Sequence, residues 1–218
     1  VWEKRKYKWL VVSGISMAFV LQSHYLGLLL IPTLGFFWFL TLFGIKKSIV
    51  KSFFKNSLIG IVIFGLLMSP LVIFDARHEW RNYEAMKTFF TQRQTTVSAR
   101  PWTAIPELPE ITNKMVTRLI VGRNIEAGLW FGHLFLVVLT VLFVLMIYII
   151  VTRRPLKKTH NAYLILLAWV TAGLVGLALY KQEIYDHYYG FFFVAPFLLI
   201  GGITGNIVRY KQIVGSGV

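Results

Sequence analysis

The feature that most constrains this chain is the length of its charge-free apolar segments. No Asp, Glu, Lys or Arg falls within residues 9–45, 57–74, 129–152, 161–180 or 188–208. A helix rises about 1.5 Å per residue and the bilayer core is about 30 Å thick, so about 20 residues make one crossing. Because 56% of the residues are hydrophobic and only 15% are charged, a soluble domain could not bury the apolar surface. The sequence therefore predicts an all-α, polytopic transmembrane helical bundle.

The first charge-free segment, residues 9–45, is too long for one crossing. A single helix over its 37 residues would measure about 55 Å, nearly twice the hydrocarbon thickness. The polar stretch from Gln22 to Tyr25 interrupts the segment near its middle, and we predict a turn there. Six crossings then follow: 9–22, 25–45, 57–74, 129–151, 161–180 and 188–208.

The distribution of basic residues tests this topology. With six crossings, one side holds 14 Lys and Arg against one acid, and the other side holds nine against eight acids. With a single span over 9–45, the basic residues would split 10 against 13. Cytoplasmic loops are enriched in Lys and Arg, so six crossings with both chain ends cytoplasmic are favoured. The basic clusters on that side are Lys4/Arg5/Lys6/Lys8, Lys46/Lys47/Lys51/Lys55, Arg153/Arg154/Lys157/Lys158 and Arg209/Lys211.

This topology predicts a multi-pass protein of the cell membrane in three parts. Residues 1–74 form three transmembrane helices, 75–128 an exterior loop, and 129–218 three more helices with a short cytoplasmic tail. Within the loop, apolar residues recur at helical spacing in two places, which predicts two amphipathic helices lying on the membrane. The residues of these faces are Trp80, Tyr83, Met86 and Phe90, and then Ile111, Met115, Val116, Leu119 and Ile120.

Three polar clusters fall at the predicted exterior face. Arg, Lys, His and Tyr side chains there can hold a phosphate through charge-assisted hydrogen bonds. Nearby carboxylates can orient these bases or bind a divalent cation such as Mg²⁺ or Mn²⁺. The alternative is an aromatic belt with solvated charges. The candidate phosphate-binding residues are His24, Arg77, His78, Lys181, His187 and Tyr188, and the candidate orienting or metal-binding residues are Asp75 and Asp186.

Other classes of function have little support in the sequence. The net charge of +14 would suggest nucleic acid for a soluble protein, but here the basic residues sort to one side of a membrane. There is no cysteine for a disulfide or thiolate metal site, and no metalloprotease, nucleophile-elbow or nucleotide-binding motif is present. The basic, aromatic opening VWEKRKYKWL has no initiator Met, and we interpret the chain as a later section of a longer protein.

Three segments resemble parts of a known family. They are GISMAFVLQSHYLGLLLIPTL (14–34), PLVIFDARHEW (70–80) and DHYYGFFFVAPFLL (186–199). Together they resemble, in order and topology, the C-terminal portion of the protein-mannosyltransferase and aminoarabinose-transferase superfamily, the glycosyltransferase family 39-like enzymes of the GT-C fold. The matching positions are Gly14, Ser23, His24 and Pro32; Pro70, Phe74, Asp75, Arg77 and His78; and His187, Tyr188 or Tyr189, and Pro196. His24 stands where the family usually has Lys.

The resemblance implies a membrane glycosyltransferase that takes a sugar from a polyprenyl-phosphate carrier at the outer membrane face. The expected partners are that lipid-linked sugar and the membrane lipids. The resemblance also implies that the catalytic acid lies on an exterior loop preceding this chain, so this section alone would be inactive. Two other classes stay open: a transporter or flippase, disfavoured by the absence of charged residues within the spans, and a non-catalytic membrane subunit.

Overall fold

The computed structural model describes residues 6–43, 45–91, 96–98, 100–152 and 158–215, and these are mostly helical. Short 3₁₀ segments at Tyr25–Leu29, Lys47–Ile49, Pro101–Glu107 and Asp186–Tyr189 join longer helices. The all-α class predicted from the sequence is confirmed for this part of the chain. The α-helices are α1 (Lys8–Ser23), α2 (Leu30–Phe43), α3 (Val50–Arg77), α4 (Arg81–Thr91), α5 (Leu108–Leu119), α6 (Ile125–Val151), α7 (Lys158–Ala178) and α8 (Val194–Gly215).

Four helical segments of the described chain are long and apolar enough to cross a membrane: Tyr25–Leu42, Lys47–Arg77, Ile125–Ile149 and His160–Ala178. The apolar helices Lys8–Ser23 and Val194–Arg209 are shorter. At about 1.5 Å per residue, the 16 residues of α1 rise only about 24 Å. Length and composition therefore support a multi-pass membrane protein, and the number of crossings stays a prediction.

The last predicted crossing starts later in the structure than in the sequence prediction, and some of the basic residues lie outside the described residues. The last crossing was predicted from residue 188, but the helix begins at Val194 because a 3₁₀ segment and a turn occupy the preceding residues. Some of the basic residues used in the charge sorting lie outside the described residues. These are Lys4, Arg5, Arg93, Arg153, Arg154 and Lys157.

The chain folds into two compact units. The first unit comprises Val1–Ala104 with Ala178–Ile184, and the second comprises Ile105–Leu177 with Tyr185–Val218. The boundary between Ala104 and Ile105 falls inside the predicted exterior loop. These units are defined by contacts and not by sides of a bilayer, so the predicted three-part membrane division stays a prediction.

The predicted turn near residue 24 is confirmed. Helix α1 ends at Ser23, and His24 takes an extended conformation with φ −161° and ψ 133°. The His24 Nδ1 atom accepts a hydrogen bond from the backbone N–H of Leu26 at 3.2 Å. His24 thereby caps the 3₁₀ segment that follows, so the polar stretch both ends one helix and starts the next.

Helices α1 and α3 of the first unit pack in parallel. The residue numbers in the paired contacts increase together along both helices, and a parallel arrangement requires α2 to return in the opposite direction. The bend at His24 and the end of α3 therefore lie at one end of the unit, with the turn at Lys46 at the other. The three contacts are Tyr7 with Phe53, Gly14 with Gly60, and Gln22 with Leu67.

Helix α3 continues through an internal proline to Arg77. Pro70 has no N–H, so it cannot donate to the carbonyl of Leu66 four residues earlier. The Ser69 hydroxyl donates to that carbonyl at 2.7 Å instead. Asp75 and Arg77 consequently lie in the last turn of a continuous helix rather than beyond it.

The second unit contains two antiparallel pairs. Helix α5 packs against the start of α6, where Gly128 faces Thr117 and Gly132 faces Asn113. Helix α7 contacts the turn before α8 near its own C-terminal end and α8 itself near its own N-terminal end, so α7 and α8 are antiparallel. Their contacts are Gly173 with the ring of Phe192, Trp169 with the carbonyl of Phe191, and Tyr163 with Asn206.

Candidate functional site

Asp75 is buried at the corner between α3 and α4. Its side chain is 5% exposed. Asp75 Oδ1 accepts from the N–H of Asn82 at 2.8 Å, and Oδ2 accepts from the N–H of Tyr83 at 2.9 Å. These amides belong to the first turn of α4, where helical N–H groups have no intrahelical acceptor. Asp75 is therefore an anionic cap that fixes the direction of α4 relative to α3.

The backbone of the same corner is strained. Glu79 and Trp80 both have positive φ values, 60° and 58°, a region that non-glycine residues rarely occupy. The Asp75 carbonyl accepts from the N–H groups of His78 at 3.0 Å and Trp80 at 2.8 Å. Asp75 thus holds the corner through its main chain as well as its side chain.

Arg77 and His78 are exposed at this corner. The His78 Nδ1 donates to the carbonyl of Phe74 at 2.7 Å, since a carbonyl oxygen can only accept. The ring also stacks on Phe74, with centroids 4.0 Å apart. These contacts orient the imidazole while Nε2 makes no hydrogen bond within the described residues. Arg77 has no ion pair there either.

His24 lies at the same end of the first unit but at a different height. Gln22 is level with Leu67, where its Nε2 donates to the carbonyl at 3.2 Å. Beyond this level, the ten residues from Leu67 to Arg77 rise about 15 Å along the helix axis. The two residues from Gln22 to His24 rise only about 5 Å. The backbone of His24 therefore lies about 10 Å short of that of Arg77 along the helix axis, a separation that an elongated ligand can span.

Lys181 belongs to a backbone pairing that the sequence did not suggest. Its N–H donates to the carbonyl of Thr96 at 2.9 Å, and the N–H of Ser98 donates to the carbonyl of Leu179 at 2.8 Å. With the bridge between Val97 and Tyr180, these bonds tie part of the predicted exterior loop to the segment that follows α7.

Asp186 of the second unit faces two arginines. Arg118 Nε lies 3.6 Å from Asp186 Oδ1, and Arg123 Nη2 lies 3.3 Å from Oδ2. Neither arginine was identified from the sequence. Arg118 is on α5 and Arg123 is in the turn before α6, and periodicity cannot connect either of them with a carboxylate 68 or 63 residues later. The turn signal at Gly122 was the one local indication of a special position for Arg123.

His187 and Tyr188 continue this 3₁₀ segment in a cluster of aromatic rings. His187 is stacked with Tyr185 at 5.9 Å and is edge-on to Tyr188 at 4.5 Å. The next residue, Tyr189, is buried against Phe192. Burial, reinforced by the negative charge of Asp186, raises the pKa of Tyr189 to about 12, so its hydroxyl stays protonated. Tyr189 anchors the segment that carries the two candidate residues.

The carboxylates of the described residues do not fit a divalent-cation site. No group of three or more His, Asp or Glu side chains converges in this part of the chain. Both oxygens of Asp75 accept from backbone amides, and both oxygens of Asp186 face guanidinium groups. A Mg²⁺ or Mn²⁺ ion requires several free oxygen ligands, so the predicted orienting role suits the two aspartates better.

A cleft of about 380 Å³ lies between α5 and the start of α6 in the second unit. One wall is the polar side of α5 and the other is apolar. Lys114 in this wall pairs with Glu110 at 2.6 Å, whereas Arg118 pairs with Asp186. The cleft thus joins a cationic edge to an apolar surface. The lining residues are Glu110, Asn113, Lys114, Thr117, Arg118, Ile125 and Leu129.

The fold and these sites define a helical protein with four helices in its described part that could cross a membrane, and with two polar corners rich in Arg, His and Asp. No protein-family model, curated protein or solved structure matches the chain. Its function is therefore inferred from its own residues and from the resemblance described above.

Proposed function

We propose that this chain is the C-terminal part of an integral-membrane glycosyltransferase that transfers a sugar from a polyprenyl-phosphate-linked donor to an acceptor at the outer membrane face. The observation that carries the proposal is the parallel packing of α1 and α3. It brings His24 to the same end of the first unit as Arg77 and His78, opposite the basic turn at Lys46.

The proposed topology has six crossings. The four long apolar helices account for four of them, and the shorter α1 and α8 for the other two. Because α1 is short, its exterior end lies below the end of α3, and His24 forms the floor of a depression. Both chain ends are then cytoplasmic, as the sorting of basic residues favours.

Helix α4 is proposed to lie on the exterior membrane surface. Trp80 just before the helix and Tyr83 and Met86 on it are 47%, 50% and 46% exposed, and Lys87 pairs with Glu84 at 3.1 Å on the helix. Exposed aromatic side chains next to charged ones are typical of interfacial helices. Such a helix can cover the reacting sugar and exclude water from it.

In the proposed reaction the bond between the sugar C1 and the phosphate oxygen breaks, and the electron pair stays on the phosphate. An acceptor hydroxyl forms the new bond to C1, and its proton passes to a base that the resemblance assigns to the part of the protein preceding this chain. Arg77 and His78 stabilise the negative charge that develops on the phosphate. His24 and Lys181 of the first unit are the further candidate contacts with the donor, and His187 and Tyr188 of the second unit keep the phosphate-binding role predicted from the sequence.

The test is sugar transfer from a polyprenyl-phosphate donor by the full-length protein. Arg77→Gln should lower transfer by about 10- to 100-fold, the effect of losing one charge-assisted hydrogen bond to phosphate. Arg81→Gln is the matched control, because Arg81 is 78% exposed and its one ion pair within the described residues is with Glu79 at 3.8 Å. Equal transfer by Arg77→Gln and the wild type, or an equal loss in both variants, would overturn the proposal for this corner.

A further inference from the structure

The meeting of Arg118, Arg123 and Asp186 has the geometry of an anion-binding site. Two guanidinium groups from different segments converge on the two oxygens of one carboxylate. Planar, multiply donating guanidinium groups recognise carboxylate and phosphate in the same way. The position held by Asp186 is therefore one that a phosphate can also occupy.

Asp186 is held loosely. The two N···O distances of 3.6 and 3.3 Å exceed the roughly 2.7–2.9 Å of a strong charge-assisted hydrogen bond. The Asp186 and Arg118 side chains are half exposed, at 50% and 48%, and Arg123 is 73% exposed. Exposed ion pairs contribute little to stability, so replacing the carboxylate by another anion carries a small cost.

The arginine side of the site is more firmly built. Gly122 and Arg123 both have positive φ values, 63° and 70°, which is unusual for Arg123 because it has a side chain. The N–H of Arg123 donates to the carbonyl of Thr117 at 2.8 Å. Thr117 is next to Arg118 in the last turn of α5, so this bond fixes the backbone of the two arginines relative to each other.

An apolar surface begins beside this cationic pair. Arg118 lines the cleft between α5 and α6 together with Ile125 and Leu129, which are 71% and 47% exposed. A ligand with an anionic head at the arginines can therefore lay a hydrocarbon chain against the start of α6. This combination matches an amphiphile better than a free anion.

We propose that Arg118 and Arg123 bind the phosphate of a long-chain phosphate monoester whose hydrocarbon chain lies in the cleft, and that Asp186 occupies the phosphate position when the ligand is absent. A monoester carries close to two negative charges at neutral pH and has three free oxygens, so it can displace a singly charged carboxylate. A phosphate diester carries one negative charge and therefore gains less binding free energy from the two arginines. The inference rests on the proposed function only in identifying this monoester as the spent polyprenyl phosphate.

Calorimetry with dodecyl phosphate and the full-length protein, in a neutral detergent, tests the proposal. Arg118→Gln and Arg123→Gln should each weaken binding by about tenfold or more. Asp186→Asn should instead tighten binding several-fold, because the competing carboxylate is gone. Glu126→Gln removes an exposed acid from α6 outside the cleft lining and serves as the charge control. Asp186→Ala is a second variant for the same test, because the amide oxygen in Asp186→Asn can still accept hydrogen bonds from the arginines.

Three further ligands identify the chemistry. Dodecyl phosphate should bind more tightly than inorganic phosphate, dodecanol or a methyl dodecyl phosphodiester, and Leu129→Asn should weaken only the alkyl ligands. Unchanged or weaker binding by both Asp186 variants would overturn the displacement, because Asp186 would then position the arginines. Equal binding of inorganic phosphate and dodecyl phosphate would overturn the role of the cleft. The binding measurement does not depend on sugar transfer. Failure of the proposed transferase function and failure of this binding proposal are therefore distinguishable.

Discussion

Asp75 and Asp186 were predicted together, as orienting or metal-binding carboxylates, yet their surroundings differ in every respect. Asp75 is 5% exposed and accepts from two backbone amides at 2.8 and 2.9 Å. Asp186 is half exposed, and its carboxylate oxygens lie 3.3 and 3.6 Å from the guanidinium nitrogens of two long, exposed arginine side chains. The first carboxylate has fixed main-chain partners, and the second has partners that another anion can take.

This difference separates a structural carboxylate from an exchangeable one. A buried acceptor cannot leave without exposing amides that have no other partner. A half-exposed ion pair can exchange with water or a ligand at little cost. The corner at Asp75 therefore presents Arg77 and His78 on a rigid support, whereas the site at Asp186 can change its occupant.

The largest expected effect is on stability when each aspartate is replaced. Asp75→Ala should lower the free energy of unfolding by about 2–4 kcal/mol, since a cap is lost and two part-buried amides lose their acceptors. Asp186→Ala should change it by less than about 1 kcal/mol. Denaturant unfolding in detergent micelles, followed by circular dichroism, compares the two variants. Equal losses would mean that both aspartates are structural.

Local features of the fold were predictable from the sequence. The bend at His24 follows from a polar interruption of an overlong apolar segment, and α5 follows from its periodic apolar face, of which Ile111, Met115 and Val116 are buried. Each of these signals lies within a few residues of the feature it predicts, so no knowledge of packing is needed.

The partners of the candidate residues were not predictable in this way. The Asp75 carboxylate caps amides seven and eight residues later, beyond the usual spacing of a capping motif. Asp186 meets Arg123 from 63 residues away, and that contact depends on how the helices of the second unit pack. The types of the candidate residues were thus visible in the sequence, but only the structure separated the fixed carboxylate of Asp75 from the exchangeable one of Asp186.

The support of the Asp75 corner depends on how α1 holds α3. A Cβ atom at Gly60 would lie 2.8 Å from the carbonyl oxygen of Leu10, whereas one at Gly65 on the same helix would meet nothing within 4 Å. Gly60→Ala should therefore destabilise the protein by about 1–3 kcal/mol through overpacking. Gly65→Ala should be neutral or stabilise it by up to about 1 kcal/mol. Thermal unfolding of the two variants measures the contrast, and equal behaviour would exclude the close Gly14–Gly60 crossing.

The smallest expected effects come from the backbone, because both corners use two consecutive residues with positive φ. One pair is Glu79 and Trp80, and the other is Gly122 and Arg123. Gly122→Ala should destabilise the protein by about 1 kcal/mol, since there is open space for the methyl group and only the conformation is unfavourable. Glu79→Gly should have the opposite sign, by about 0.5–1 kcal/mol.

The two substitutions also differ in what they should do to binding. Gly122→Ala shifts the turn that positions Arg123, so dodecyl phosphate binding should weaken together with stability. Glu79→Gly relaxes the corner that presents Arg77 and His78, and sugar transfer should fall even though the protein becomes more stable. If Glu79→Gly raised both stability and transfer, the strain at Glu79 would have no role in holding the corner, and Asp75 alone would account for its rigidity.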